Sequence, residues 1–342
     1  MKLNRLVGVA AATAGIRAAA ACGGGDTAGT AATGSSSTGG AVTKINYLTS
    51  FNTFGRDAYV YVAKEKGYFE EAGLDVDIKP GTGTVDVMKL IASGRADFGP
   101  GDFSTVVITV AKEKLPVTTV AMVQQKSLAA IVSLEGYGIS SPKDLEGKTI
   151  ADQPGSTNTV MFPVYAKAAG IDASKVKFVP AAPPTLPQLL AAHKVDAIGQ
   201  FVVGKGLIEK AAKGKASVFL PFGDVLPDLY GNALLTSTAF AKDKPEVTKK
   251  FVAALMKGLE YSIAHPDETG DILKKYQPTQ DPKVAAGEVT LMAPYVKGDK
   301  GAAIGNVDDA RVAKIIEMLT EAGAIPAGLE PSQVVDADVA TS

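Results

Sequence analysis

The sequence predicts an α/β protein of two lobes, each a mainly parallel sheet flanked by helices, joined by a two-segment hinge. Strand-like and helix-like segments alternate along the chain, and two stretches about 100 residues apart follow the same plan. Short apolar stretches at residues 127–134 and 233–238 would carry the chain from one lobe to the other and back. These observations together predict two similar lobes rather than one continuous sheet.

The first copy of the repeat opens with a strand at residues 44–49. A loop at 50–56 leads to a helix that Asp57 is expected to cap and Gly67 to end in a left-handed conformation. A strand at 76–79, a helix at 85–93 and a short strand at 98–99 complete this unit.

The second copy repeats this order at residues 148–199. Its strands are expected at 148–151, 175–179 and 197–199, with a loop at 152–158 followed by a helix to 169, and a second helix at 186–192. Because parallel βαβ units cross over with one hand, each strand-to-helix loop reaches the same edge of its sheet. Ligands of open α/β sheets bind at that edge, so two facing lobes would bring six loops to one cleft.

The apolar spacing in the last third of the chain predicts helices at residues 245–265 and 310–322, which would pack on the first lobe. The predicted division of the folded body is 44–127 for the first lobe, 128–233 for the second lobe, 234–330 for the return to the first lobe, and 331–342 for a tail.

The amino terminus has the layout of an export signal, with Lys2 and Arg5 before an apolar stretch at 6–16. That stretch is too short to span a membrane. Small residues then precede Cys22, the only cysteine, in a pattern that resembles the lipobox of bacterial lipoproteins. We expect a signal peptide at 1–21, lipidation of Cys22, and a flexible Gly/Ser/Thr tether at 22–43. The alternative is a plain cleaved signal with a stray cysteine.

Composition excludes several functions. The net charge is −1 and no long basic run occurs, so a nucleic-acid partner lacks electrostatic support. One cysteine excludes an intrachain disulfide and a Cys-based zinc site. The two histidines, His193 and His265, fall in predicted turns. No nucleophile–base or metal constellation is visible, so we expect neither catalysis nor a cofactor.

The repeat carries turn and core motifs that resemble the ABC-transporter solute-binding group, which includes receptors for thiamine pyrimidine precursors, alkanesulfonates, taurine and nitrate. The motifs cover most of residues 44–275: Lys66-Gly67-Tyr68-Phe69, Ala72-Gly73-Leu74-Asp75, Ser93-Gly94-Arg95-Ala96-Asp97-Phe98-Gly99, Ser141-Pro142-Lys143-Asp144-Leu145-Glu146-Gly147-Lys148 and Lys194-Val195-Asp196-Ala197. The resemblance implies a type II periplasmic-binding-protein fold that closes on a small ligand. It also implies an extracytoplasmic monomer with ABC permease subunits and an ATPase as partners.

The pyrimidine branch of this group is the most similar, by residues 58–63 and 124–148. Phe51 stands where that branch often has a tryptophan. A related fungal family uses the fold to make the thiamine pyrimidine, with a lysine, a histidine and a cysteine-rich run. Gly101, Thr105 and residues 230–237 occupy those places here, so the resemblance disfavours an exported enzyme. A receptor that presents its ligand to a sensor or adhesion partner is another alternative.

The candidate ligand-binding residues come from the predicted cleft loops. Aromatic side chains there would stack on a flat ligand, and the helix start at residues 156–158 would hold an anionic or carbonyl oxygen. The full set is Phe51, Asn52, Phe54, Arg56, Tyr59, Thr82, Thr84, Asp102, Ser156, Thr157, Asn158, Gln200, Phe201, Tyr230 and Asn232.

Two charged candidates point to different ligands. A carboxylate at Asp102 would favour an amine, amidine or aminopyrimidine donor, unless Asp102 caps the helix that begins near Ser104. Arg56 would receive a carboxylate, pair with Asp102 or point to solvent. The hypothesis is a flat, polar, heteroaromatic ligand like a thiamine precursor, and the alternative is a sulfonate, taurine or nitrate.

Overall fold

The computed structural model describes residues 42–297 and 303–340. The predicted signal peptide, Cys22 and the predicted tether up to residue 41 lie outside the described residues. Strands of the described part are β1 Thr43–Leu48, β2 Phe51–Asn52, β3 Leu74–Lys79, β4 Gly81–Thr82, β5 Phe98–Asp102, β6 Val117–Met122, β7 Ala129–Leu134, β8 Thr149–Asp152, β9 Lys177–Pro180, β10 Ala197–Phe201, β11 Ser217–Pro221 and β12 Asn232–Ser237.

The α-helices follow the repeat and then fill the carboxyl-terminal third. In chain order, the described part contains α1 Tyr59–Glu65, α2 Tyr68–Glu71, α3 Thr84–Ala92, α4 Phe103–Glu113, α5 Thr157–Ala168, α6 Leu186–Ala191, α7 Lys205–Ala211, α8 Phe222–Val225, α9 Thr238–Asp243, α10 Pro245–Ala264, α11 Pro266–Tyr276, α12 Pro282–Lys297, α13 Asp309–Glu321 and α14 Ala337–Ala340. None of the helices described within 42–297 and 303–340 is long and apolar enough to cross a membrane.

Two five-stranded sheets share one topology. The first runs β3-β1-β5-β12-β6, and the second, read in the corresponding direction, runs β9-β8-β10-β7-β11. In each sheet the fourth strand of this order is antiparallel to its neighbours, while the first three are parallel to one another. Those antiparallel strands, β7 and β12, fall in the apolar stretches predicted to carry the chain between the lobes. Each of them lies within one sheet, so the crossing itself comes just before the strand. The predicted α/β fold with two mainly parallel sheets is confirmed.

The core of the first sheet's outer face is aromatic. Phe251 of α10 stacks on Phe98 of β5, with ring centroids 4.1 Å apart, and on Phe69 at 5.3 Å. Gly258 lets α10 approach α1, since a Cβ there would lie 2.6 Å from the Cβ of Ala63. The return helix therefore packs on the first sheet because its apolar face meets an aromatic one.

The loop after β1 differs from the expectation at Asp57. Residues Gly55–Asp57 form a 3-10 turn, and no side chain caps α1. The Asp57 carboxylate instead accepts hydrogen bonds from the Ser50 amide at 3.0 Å and the Ser50 hydroxyl at 2.8 Å. The loop closes on itself before the helix begins, so the predicted cap was wrong. Gly67 is left-handed as predicted, with φ of +76°.

The segment expected as a tail packs onto the first sheet. Val334 and Val335 are buried, and Val335 forms a parallel bridge with Thr119 of β6. β6 is the edge strand of its sheet, so this segment covers backbone groups that would otherwise be open to pairing.

Candidate ligand-binding cleft

Residues that follow strands of both sheets line two small cavities between the lobes. The first, here called the Thr84 cavity, has a volume of about 20 Å³ and is lined by Ser50, Phe51, Arg56, Gly83, Thr84, Ser156, Thr157, Phe201 and Asn232. The second, the Glu288 cavity, has a volume of about 10 Å³ and is lined by Phe54, Arg56, Gln200, Val203, Gly204, Leu207 and Glu288. Arg56 is common to both, so its side chain separates them.

Arg56 is a buried cation with few partners. It is only 3% exposed, and its guanidinium lies 3.9 Å from the ring centroid of Phe201 and 5.7 Å from that of Phe54. Its Nε is 3.5 Å from Asp57 Oδ2, too long for a well-formed hydrogen bond. Among the described residues Arg56 Nε has no hydrogen-bond partner. A buried guanidinium therefore offers donors toward the cleft.

Contacts between the lobes close the cleft around Arg56. Besides the Arg56–Phe201 stack, the rings of Phe51 and Phe201 meet edge to face at 6.4 Å. The side-chain amide of Gln153 donates to the Thr82 carbonyl at 2.8 Å. These contacts pair the strand-to-helix loops of the first lobe with those of the second.

The second lobe contributes the start of α5. Ser156 is its N-cap and accepts from the Thr159 amide at 3.1 Å, and its hydroxyl donates to Asp152 at 2.5 Å. The following first-turn amides have no intrahelical acceptor, and Thr157 lines the Thr84 cavity. A 12-residue helix thus directs its positive end toward the cavity that Arg56 also lines.

Asn158 sits just behind this helix start and is buried. Its Nδ2 donates to the Gln200 carbonyl at 3.2 Å, while its Oδ1 has no partner among the described residues. Asn158 therefore fixes the β10 loop and leaves one acceptor open.

Asp102 takes the capping role that the sequence left as the alternative. Its Oδ1 accepts from the amide of Thr105 at 3.0 Å and from the hydroxyl of Thr105 at 3.2 Å, at the start of α4. Burial raises the pKa of this carboxyl to about 7. Asp102 lines neither cavity. Its amide donates to Thr84 Oγ1 at 3.1 Å, so its contribution to the cleft is to orient Thr84.

Three further candidate residues, Tyr59, Tyr230 and Thr82, line neither cavity. Tyr59 is buried in the lobe core, its hydroxyl 3.2 Å from that of Tyr47. Tyr230 turns away from the cleft and accepts from the Asp308 amide at 3.1 Å. Thr82 is exposed and its hydroxyl donates to the Asp86 carboxylate. For the two tyrosines, packing that the local sequence does not reveal decides where the side chain points, whereas Thr82 is held by the nearby Asp86.

The structure brings most of the other candidates together. Those lining a cavity are Phe51, Phe54, Arg56, Thr84, Ser156, Thr157, Gln200, Phe201 and Asn232. The backbone of Asn52 pairs with Gly81 in the short β2–β4 ladder, and its side chain lies outside what the structure describes.

Sequence reasoning missed Glu288, which comes from α12 in the carboxyl-terminal third. Its carboxylate accepts from the Gly55 amide at 2.7 Å, next to Arg56 in the chain. Burial raises its pKa to about 7, opposed by the nearby Arg56 charge. The available signal was a lone carboxylate on an apolar helix face, since Ala285, Val289 and Met292 beside it are all buried.

Together these features define a class of protein. Two sheets of one topology, exchanged antiparallel strands and a polar cleft between them constitute a two-lobe ligand-binding fold. The chain belongs to the NMT1/THI5 like family, whose model matches residues 56–269.

Known proteins similar to this chain include receptors and a synthase. It is 28% identical over 215 residues to the formylaminopyrimidine-binding protein of Halalkalibacterium halodurans. The match covers 63% of this chain and 65% of that protein, so the chain spans just under two thirds of that relative's length. It is 26% identical over 249 residues to 4-amino-5-hydroxymethyl-2-methylpyrimidine phosphate synthase of Candida albicans, covering 69% of this chain and 72% of that one.

Among solved structures, the alkanesulfonate-binding protein SsuA from Xanthomonas axonopodis pv. citri, bound to MOPS, superimposes with a TM-score of 0.67. Its sequence identity is 14%, and the match covers 88% of this chain and 98% of that one. This likeness shows the periplasmic-binding-protein fold, which confirms the fold expected from the resemblance.

Proposed function

We propose that this protein is the extracytoplasmic solute-binding component of an ABC importer and captures a small, flat, polar ligand between its lobes. The observation that carries the proposal is Arg56, buried between two cavities, stacked on Phe201 of the other lobe, with an unpartnered Nε among the described residues. A related formylaminopyrimidine-binding protein and an alkanesulfonate-binding neighbour of the same fold support a receptor role.

The ligand would be held by rings from both lobes and by donors from both lobes. Phe51 and Phe201 supply aromatic faces and edges for a flat ring. Arg56 and the first-turn amides of α5 supply donors for a ligand oxygen. Because these groups lie on different lobes, a ligand that contacts all of them favours the closed arrangement over an open one.

The ligand class follows from which groups remain available. The carboxylate of Asp102 is engaged in capping, so an amine donor loses the acceptor that the sequence suggested for it. Arg56 and the first-turn amides of α5 are donors at the Thr84 cavity, so the ligand should present an oxygen acceptor. A heteroaromatic ring with a formyl or carboxyl group, or an aromatic sulfonate, meets both requirements. Both cavities are too small for a ring compound in this closed arrangement, so binding requires Arg56 or the lobes to move.

Binding without turnover is proposed because Gly101 and Thr105 stand in the places where the resemblance implies the lysine and the histidine of the synthase. A Cβ at Gly101 would lie 2.8 Å from Thr84 Cγ2 and 2.9 Å from Leu235 Cδ1, both in well-packed surroundings. Thr105, in the histidine place, is buried and bonded to Asp102. The cleft therefore resembles that of the synthase in fold rather than in reactive groups.

The export and partner assignments are proposals of the same kind. We propose that Cys22 is lipidated, which places the receptor at the outer face of the cytoplasmic membrane as a monomer beside permease and ATPase subunits. The mass of the mature protein purified from membranes tests this directly, because diacylation adds a defined mass to Cys22 after loss of residues 1–21.

A thermal-shift panel on the full chain, followed by small-angle scattering of any hit, tests the receptor function. The panel compares formylaminopyrimidines, other pyrimidines, aromatic carboxylates and sulfonates, taurine and nitrate. A ligand at 100 times its dissociation constant adds about 2.7 kcal/mol of stability. We expect a hit among ring compounds with an oxygen acceptor, and compaction on saturation. Turnover of the hit, or saturation without compaction, would contradict the proposal.

A further inference from the structure

The loop that carries Arg56 rests on α12 with no spare room. A Cβ at Gly55 would lie 2.3 Å from the carbonyl oxygen of Ala285, so only glycine fits at this contact. The Glu288 carboxylate, on the next turn of α12, accepts the Gly55 amide at 2.7 Å and interacts with the Arg56 amide. Glu288 is 6% exposed. The backbone that leads into the Arg56 side chain is therefore held by one buried carboxyl.

Glu288 also belongs to the cleft. It lines the Glu288 cavity together with Gln200 and Val203 of the second lobe and Arg56 of the first. A ligand oxygen that binds the guanidinium would therefore share it with the Glu288 carboxylate. The two negative groups would compete for one cation.

We propose that Glu288 is a positioning residue for Arg56 and that it takes up a proton when an anionic ligand group binds beside the guanidinium. This inference rests on the proposed function, since it concerns the same cleft. The carboxyl is a strong acceptor for the loop amides when ionised and a weaker one when protonated. The charge of the bound group and the protonation of Glu288 are therefore linked.

The charged surroundings of Glu288 come from the Arg56 loop. Arg56 lowers and Asp57 raises its pKa, and burial is the largest effect, so the pKa lies near 7. The Val202–Gly204 turn against α12 carries no titratable side chain. Several charged side chains of the other helices packed on α12 pair with residues other than Glu288: Glu209 with Ser217, Lys210 with Asp281, Glu268 with Lys66 and Tyr261, and Lys275 with Glu65.

The sign of the linkage follows from this arrangement. An anion beside Arg56 disfavours the ionised form of Glu288, so binding takes up a proton from solution above about pH 7. Affinity for the anion should therefore rise as pH falls from 8 to 6. A neutral ligand leaves the balance nearly unchanged and should bind with little pH dependence.

The experiment is calorimetric titration with benzenesulfonate, which stays ionised throughout, at pH 6, 7 and 8 in buffers of different ionisation enthalpy. The wild type is compared with Glu288→Gln, which keeps an acceptor oxygen but cannot titrate, and with Glu288→Ala, which loses the acceptor. Asp102→Asn is the matched control, because Asp102 is another buried carboxyl with a pKa near 7 but lines neither cavity.

We expect wild-type affinity to rise about tenfold from pH 8 to pH 6 with net proton uptake, since one proton changes affinity by at most tenfold per pH unit. The pH dependence should vanish in Glu288→Gln and persist in Asp102→Asn. Glu288→Ala should bind at least several-fold more weakly than Glu288→Gln at every pH.

The failures are distinguishable. Binding of benzenesulfonate with no pH dependence, or with the same dependence in Glu288→Gln, overturns the inference and leaves the receptor function standing. The same holds if a neutral panel compound binds and benzenesulfonate does not. If no compound of the panel binds, the proposed function is wrong, and this inference is wrong as well because it rests on that function.

Discussion

The loop after the first strand of each copy of the repeat, β1 in the first lobe and β8 in the second, holds the same place but is built differently. In the first lobe, residues 50–57 insert a 3-10 turn and bury the charges of Arg56 and Asp57. In the second lobe, residues 152–158 lead directly from β8 into α5 through the Ser156 cap. One loop offers a side-chain cation, and the other offers backbone amides.

This difference shows how two similar lobes come to do different things at one cleft. The amides of α5 need only a helix and its cap, which are local features. The Arg56 guanidinium depends on partners far away in sequence, such as Phe201 and Glu288. The first-lobe loop should therefore be the more sensitive of the two to substitution and to pH.

The largest effect is expected from removing the buried cation. Arg56→Met leaves Asp57 buried without its counter-charge and should lower the free energy of unfolding by about 3 kcal/mol. Denaturant unfolding measures the change. Adding Asp57→Asn should recover most of the loss, since the asparagine oxygen can still accept from Ser50. If both variants are equally unstable, the pair is not coupled as described.

The pH dependence of unfolding distinguishes the two loops, because a different buried carboxyl lies beside each: Glu288 at the first-lobe loop and Asp152 at the second-lobe loop. Burial raises the pKa of Glu288 from 4.5 to about 7 and that of Asp152 from 3.8 to about 6. Each folded-state pKa lies above the unfolded value, so each stabilising contribution is complete below the unfolded pKa and is lost as pH rises through the folded one.

The expected loss for Glu288 is about 3 kcal/mol in total, at about 1.4 kcal/mol per unit of pKa shift. Glu288→Gln should flatten the slope of unfolding free energy against pH up to about pH 7. Asp152→Asn should flatten it only up to about pH 6. Identical slopes in both variants and the wild type would show that neither carboxyl is perturbed.

Truncating the ring shared by the lobes should open the cleft. Phe201→Ala removes the Arg56 stack and the Phe51 edge contact, together about 2 kcal/mol in favour of closure. Small-angle scattering at a saturating ligand concentration should show a larger radius of gyration than that of the wild type. Phe178→Ala is the control, because Phe178 packs on Phe162 within the second lobe and should not change the radius.

The smallest effect concerns the second-lobe loop. Ser156→Ala removes the α5 cap and should lower the free energy of unfolding by about 1 kcal/mol. It should also weaken ligand binding. Ser237→Ala removes an equivalent cap from α9, outside both cavities. It should cost a similar amount by thermal unfolding without weakening binding. Equal ligand affinity in the two variants would count against a role for the α5 start.

The fold was predictable because its signals are local and repeated. Each signal depends on neighbouring residues only: the alternating segments, the turn glycine at 67 and the two apolar stretches. The structure has the strands, helices and left-handed glycine that these signals predict. The repeat added a check, since each element had a counterpart about 100 residues away.

The site was predictable only in part because its polar contacts are not local. Asp57 looks like a cap from its neighbours, yet its loop closes on Ser50. Asp102 looks like a ligand group at a strand end, yet Thr105 satisfies it. Glu288 lies 233 residues from its partner Gly55, and no local sequence pattern predicts a contact over that separation.

The most direct test of the account is ligand titration of the double variant Arg56→Met with Asp57→Asn. This variant removes the buried pair together, so stability should be near that of the wild type while the cleft has lost its cation. The account predicts that the panel hit binds the variant at least about 30-fold more weakly, since a buried charged contact is worth about 2 kcal/mol or more. Unchanged affinity in a folded variant would show that Arg56 does not hold the ligand and would contradict the central claim.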